Sequence, residues 1–187
     1  MELIFIVLSI IILIVLISIG IYNSLARKKV YVSEAFSGID VQLKRKANVL
    51  PNLIDTIKMQ TTYEGELLSK ITAMRGQMTG GSNGEKLAAN DAFNKALPSI
   101  MAVAEAYPAL GANISFTKMM DEIADCEDKI TYARNRYNVA VTAYNTAVII
   151  FPSSIFAQMF GFKKEEFFEI AAEKRQEIDD MRISDIK

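Results

Sequence analysis

From Leu3 to Ala26 the chain carries no charged residue, and from Leu3 to Ile21 only Ser9, Ser18 and Gly20 interrupt the apolar side chains. At about 1.5 Å per residue, that stretch makes a helix roughly 28 Å long, close to the thickness of bilayer hydrocarbon. In lipid every backbone N–H and C=O must be bonded within the segment, so a helix is the form it takes. A cleaved signal peptide would want a basic start and a shorter apolar run. Here only Met1-Glu2 precede the run, and Arg27-Lys28-Lys29 follow at once behind Ser24-Leu25-Ala26. The expectation is an uncleaved transmembrane anchor, residues 1–26, with the lipid bilayer as first partner.

The flanks set an orientation. Arg27, Lys28 and Lys29 follow the run, with Lys44, Arg45 and Lys46 further on, and no Lys or Arg precedes it. Basic residues stay cytoplasmic, so the N-terminus is predicted outside and the rest in the cytoplasm, at the cell membrane. Tyr22 falls at the bilayer edge, where an amphipathic ring is favoured, and the basic triplet is placed to meet anionic headgroups.

Elsewhere, the composition excludes more than it proposes. The 21 basic and 22 acidic residues nearly cancel, so no global charge favours nucleic acid as a partner. No histidine is present, which removes the commonest general base, zinc ligand and near-neutral switch. The single cysteine, Cys126, rules out an intrachain disulfide framework and falls on an apolar helix position as a small buried side chain. No catalytic residue, cofactor, metal or small-molecule substrate is evident.

Residues 27–168 read as helix. A heptad-like seam runs through Val32, Phe36, Ile39, Leu43, Leu50, Leu53 and Ile57, then Leu67, Ile71, Met74 and Met78. Polar residues interrupt it at Lys46, Gln60 and Glu64: either the helix is locally irregular there, or those residues face water or a partner. Pro51 predicts a bend rather than a break. Thr79 to Gly84 is a turn. The next helix, with Phe93, Leu97, Ile100 and Ala104, extends to about Tyr107, and through the connector to Asn113 the chain either continues with a kink or, the preferred reading, reverses. Asn113 or Ser115 caps a third helix with the seam Met119, Ile123, Cys126, Ile130, Ala133, Tyr137, Ala140, Tyr144, Ala147, Phe151. A short helix follows Ser153-Ser154 with Gly161 beyond its end, and a final helix is expected from Lys163, fraying into a charged tail over residues 169–187. No strand pattern appears. The expected class is all-α: an elongated antiparallel bundle of three long helices plus a short C-terminal one, behind a transmembrane helix.

Two groups of polar residues invite a functional reading. Tyr137 and Tyr144 are seven apart on the third seam, with Asn138 and Asn145 beside them. They form either a polar binding strip or, as the simpler reading, rings in the core whose hydroxyls and amides bond across to another helix, with Arg134 nearby. Asp40 and Lys44 are either a solvent-exposed i,i+4 pair or, with Arg45 and Asn52, a buried network that fixes helix register. Asp121, Glu122, Asp125 and Asp128 lie on the outer face of the third helix. Helical di-iron sites need histidines beside their carboxylates, so a solvated face is expected.

Gly38-Ile39-Asp40-Val41-Gln42-Leu43-Lys44-Arg45-Lys46, continuing to Leu50-Pro51-Asn52-Leu53, resembles the signature stretch of the LemA family of bacterial membrane proteins. Glu105-Ala106-Tyr107-Pro108, Ala112-Asn113, Ala133-Arg134 with Tyr137-Asn138, Tyr144-Asn145, Phe151-Pro152 and Gly161-Phe162 continue the match in order. The resemblance implies one N-terminal transmembrane segment and a helical-bundle domain. It implies no settled activity: some relatives are associated with shaping bacterial internal membranes, others are encoded near membrane proteases. This chain has Phe36 where relatives often have Trp, and a longer charged extension past Phe168. The expectation is a non-enzymatic, membrane-anchored scaffold that self-associates as a homo-oligomer. The alternative is an adaptor that presents its helices or tail to a membrane-protein partner.

Overall fold

The computed structural model describes residues 1–60 and 65–168, and among these every regular element is a helix. They are α1 (Glu2–Gln60), α2 (Glu66–Gly80), α3 (Asn83–Ala106), α4 (Pro108–Gly111), α5 (Ile114–Ile149) and α6 (Ser153–Met159). The described residues form two compact units, Phe36–Ala133 and Met1–Ala35 together with the described residues from Arg134 onward.

In the unit Phe36–Ala133, the expected seams are buried. Leu50, Leu53 and Ile57 of α1 share a core with Ile71 and Met78 of α2, Phe93 and Ile100 of α3, and Phe116 and Ile123 of α5. The stretch expected to continue as one helix to Met78 is instead divided into α1 and α2. The division falls where Gln60 and Glu64 interrupt the apolar seam, the irregularity allowed for there, and Gly65, in extended conformation, is the N-cap of α2. Glu64 lies outside the described residues.

Pro51 sits inside α1 without ending it. Proline has no N–H, so the carbonyl four residues earlier, Ala47 O, loses its helical donor. Arg75 of α2 fills the vacancy, donating from Nε at 3.2 Å. A side chain from the neighbouring helix thus completes the α1 ladder at its weakest point.

The α2–α3 turn is tight. A Cβ on Gly81 would stand 2.8 Å from the Gln77 carbonyl oxygen, so a side chain there has no room. Ser82 then opens α3 with a capping box: its Oγ accepts from the Glu85 N–H, while Glu85 Oε2 accepts from the Ser82 N–H at 2.7 Å. Asn113 caps α5, its Oδ1 accepting from the backbone N–H of Ser115 at 2.8 Å and of Phe116 at 3.2 Å. The chain reverses between α3 and α5, as expected: Asn90 and Glu127, on opposite sides of the connector, are hydrogen-bonded at 3.1 Å.

In the other unit, the apolar run at the start of α1 is exposed along its length. It is the helix among the described residues that is long and apolar enough to cross a membrane by itself. Just beyond the run, Leu25 is buried against Ala147 of α5 and Ala157 of α6, with Ile21, Val148 and Phe162 packed around them. The chain turns by 91° between α5 and α6. Phe151, assigned to the third seam, is corrected here. It lies past the end of α5 on the outside of this elbow, 80% exposed. Gly161 closes α6 with φ of 73°, the left-handed conformation favouring glycine.

Candidate functional site

Two polar constellations stand out, one in each unit. In Phe36–Ala133 the centre is Lys46, which is fully buried. Its ammonium donates to Asn90 Oδ1 at 2.8 Å, Asn94 Oδ1 at 2.7 Å and Glu127 Oε2 at 2.9 Å, and lies 5.0 Å from the centre of the Phe93 ring. An ammonium has three donors, and three acceptors are provided. Lys46 therefore does not face water or a partner. Its polar position in the seam marks a charge closed inside the bundle. Burial pushes the Glu127 carboxyl upward, but the Lys46 charge and the hydrogen bonds outweigh it and hold the group below its usual range.

Beside this centre are two further ties. Asp40 accepts from Lys44 at 2.7 Å and from Lys86 of α3 at 2.6 Å. Those two hydrogen bonds hold its carboxyl below the ordinary value. Arg45 reaches α5, with Nε 3.1 Å from Glu122 and Nη1 3.0 Å from Asp125. Of the two readings, the i,i+4 pair of Asp40 and Lys44 is present, while the one buried network with Arg45 and Asn52 is replaced by separate ties to α3 and α5. Asn52 is exposed on the rim of an open hollow with Asp55, Thr56 and Lys118. Gln60 is exposed at the end of α1. Cys126 is buried, and burial raises its thiol pKa.

In the other unit, the tyrosines and asparagines of α5 meet an irregular stretch rather than a helix. Tyr144 Oη donates to the Lys163 carbonyl at 2.9 Å, and Tyr137 Oη to the Glu166 carbonyl at 3.1 Å. Asn145 pairs with both backbone groups of Glu165: Nδ2 donates to its carbonyl at 2.8 Å and Oδ1 accepts its N–H at 2.9 Å. Asn138 does the same at Phe168, at 2.9 and 3.0 Å. The Phe168 ring packs on Tyr137 with centroids 4.4 Å apart. Burial raises the Tyr137 hydroxyl, so it stays a neutral donor. Arg134 is half-buried at the start of this stretch.

The spacing explains the geometry. Seven residues of α-helix rise about 10.5 Å, and three residues of extended chain cover about 10 Å. Successive rungs on α5 are seven apart, and their backbone partners are three apart, in the opposite chain direction. Residues 163–168 are therefore an extended strap lying antiparallel to α5, held by side-chain amides at every third residue rather than at the every-second spacing of a β-strand. The expectation of a final helix from Lys163 is corrected for these residues. A backbone that bonds to asparagines has given up the i→i−4 ladder. Residues 169–187 lie outside the described ones. The asparagine bonds reach only main-chain atoms, so the ladder holds extended chain largely irrespective of its sequence.

The residues assigned to the bilayer edge lie near the strap. Tyr22 meets the rings of Phe160 and Phe162 edge-on, with centroids 5.1 and 5.6 Å away. Arg27 bonds back to the Asn23 carbonyl at 3.2 Å, and Lys29 lies 3.9 Å from Glu165. Lys28, between them, is half-buried. Among the described residues no cluster of His, Cys, Asp or Glu has the makings of a metal site.

These residues fall inside a sequence family. The model of the LemA family matches residues 35–180, which include both the Lys46 centre and the ladder. The chain belongs to the LemA family. Among similar proteins, this LemA-family chain is 27% identical over 166 residues to protein LemA of Metamycoplasma hominis, covering 86% of the chain and 74% of the relative. It is 34% identical over 89 residues to magnetosome protein MamQ of Magnetospirillum gryphiswaldense, covering 48% of the chain and 33% of that protein. To magnetosome protein MamQ 2 of Paramagnetospirillum magneticum it is 26% identical over 160 residues, 71% of the chain and 59% of the relative. The matches thus span between a third and three fifths of the magnetosome proteins' own length.

Proposed function

We propose that the chain is a non-enzymatic, membrane-anchored helical scaffold that self-associates, with its apolar run across the cell membrane and its bundle in the cytoplasm. The observation that carries this reading is where the polar side chains go. Lys46, Asp40, Arg45 and the α5 ladder each bind another part of the same chain, and do not converge on an open cleft as a catalytic set would. Likeness to the magnetosome proteins is compatible with a role in organising membrane, and adds nothing about chemistry. Confinement of anchors to one plane raises the effective concentration of neighbouring copies, so weak lateral contacts suffice for assembly. The exposed apolar face of α1 is available for such contacts as well as for lipid. Size measurement of the detergent-solubilised full-length protein tests the proposal: species larger than one chain are expected, and a strict monomer at every concentration would overturn self-association.

The strap favours a second reading. By fixing residues 163–168 against α5, the ladder sets where the charged chain beyond Phe168 departs. That is the arrangement an adaptor would use to present a tail to a membrane-protein partner. Deleting residues 173–187 separates the readings, since an adaptor loses its partner while self-assembly persists.

A further inference from the structure

The elbow between α5 and α6 has an outer surface that no part of the unit covers. Ile149, Ile150, Phe151, Ile155 and Met159 are all exposed there, Phe151 most of all. From Tyr137 to Phe162 the sequence contains no charged residue, and Lys163-Lys164 follow immediately. Isolated exposed apolar residues are ordinary; five within the eleven residues of one elbow, in a stretch without charge, form a surface that seeks a partner.

The location identifies that partner. On its inner side the elbow is bound to α1 at the end of the apolar run: Ala147 and Ala157 close on Leu25, and Phe160 and Phe162 meet the Tyr22 ring. The elbow is therefore level with the last turn of the segment suited to hydrocarbon. On α1 the basic triplet Arg27-Lys28-Lys29 begins about one and a half turns beyond Tyr22 and about half a turn beyond Leu25. On the other chain segment Lys163 and Lys164 are exposed, and Lys29 approaches Glu165. An apolar surface beside the end of a spanning helix, with basic residues beyond it on both segments, matches the layering of a leaflet from acyl chain to anionic headgroup.

We infer that the α5–α6 elbow is a second membrane-contacting element, seated at the headgroup–acyl boundary of the leaflet on the Arg27–Lys29 side. The inference rests on the anchor reading of α1. Its ligand is the lipid surface itself, anionic at the headgroups. The elbow enters one leaflet only, so it adds volume asymmetrically where the anchor adds it to both.

The chain has no tryptophan, so single substitutions report unambiguously. Full-length Phe151→Trp, Ile155→Trp, Leu13→Trp and Tyr132→Trp would be reconstituted in phosphatidylcholine–phosphatidylglycerol vesicles, with bromine placed at shallow or deep acyl positions. Leu13→Trp should be quenched most by deep bromine. Phe151→Trp and Ile155→Trp should emit at short wavelength and lose most of their emission to shallow bromine. Tyr132→Trp, at an exposed α5 position, should emit as in water, unquenched. Quenching of Leu13→Trp alone overturns the elbow inference and leaves the anchor intact. Failure to quench Leu13→Trp overturns the anchor, and the inference with it. Short-wavelength emission without quenching at both elbow positions means protein covers the surface, which also overturns it.

Discussion

Lys46 and Asn138 carry the two polar constellations at the scale of single residues. Removing one member of a buried ion pair leaves the other charge uncompensated, which typically costs about 3–5 kcal/mol, whereas replacing both by apolar groups costs far less. Lys46→Met is therefore expected to lower unfolding free energy by about 3 kcal/mol, and Lys46→Met with Glu127→Leu by less than the sum of the single changes. Denaturant titration of the four proteins measures that coupling, and additivity would contradict the pairing. Asn138→Ala removes two hydrogen bonds from the strap, about 1 kcal/mol each. Protection of the Phe168 amide from hydrogen exchange should fall by roughly tenfold or more, with a smaller effect at Glu165, which Asn145 holds separately. Half of each arrangement is visible in the sequence. Lys46 stands out as a polar residue in an apolar seam, but its partners are 44 to 81 positions away, and nothing local distinguishes a closed charge from an exposed one. The paired Tyr and Asn are conspicuous at heptad spacing. What they bind is backbone, which leaves no imprint on residue type.

At the scale of elements, the helices themselves were legible because four–three apolar spacing persists for many turns in α1, α3 and α5. Their ends were read well at Asn113, where a side chain caps α5, and at Gly161, whose left-handed backbone closes α6, and poorly at Gly65, where a glycine supplies the stop without a side-chain bond. The proline in α1 was expected only to bend the helix. The bond to the Ala47 carbonyl that proline removes follows from the sequence, and the structure adds what replaces it. If Arg75 stands in for the missing N–H donor, then Pro51→Ala supplies that donor and makes Arg75 redundant. Arg75→Ala should cost about 1 kcal/mol in the natural background and close to nothing with Pro51→Ala. Equal costs in thermal or denaturant unfolding would show that Arg75 has another role.

For the whole molecule, acid is the informative perturbation. Asp40 is lowered by its bonds to Lys44 and Lys86, and Glu127 by Lys46 once burial is overcome. Folded-state values below the unfolded ones mean that the unfolded chain binds protons more readily. The stability from these carboxylates is thus fully present above the unfolded values, near pH 4, and is lost as pH falls through the folded ones. The melting temperature of the solubilised protein should hold from about pH 7 to about pH 5 and then decline. Glu127→Gln should melt lower at neutral pH and show a shallower acid decline; an unchanged acid limb would remove Glu127 from the account. The strap has a different consequence for how the chain can vary. Seven helical residues against three extended ones behave like a rack and pinion with two teeth: sliding the strap by three residues returns an equivalent backbone to each asparagine. The asparagines alone therefore leave the register degenerate. What singles out the observed register is the Phe168 ring on Tyr137 and the short tether from Gly161 to Lys163. Residues inserted after Phe162 should accordingly loop out in the tether, with the Phe168 ring holding the register unless it too is removed.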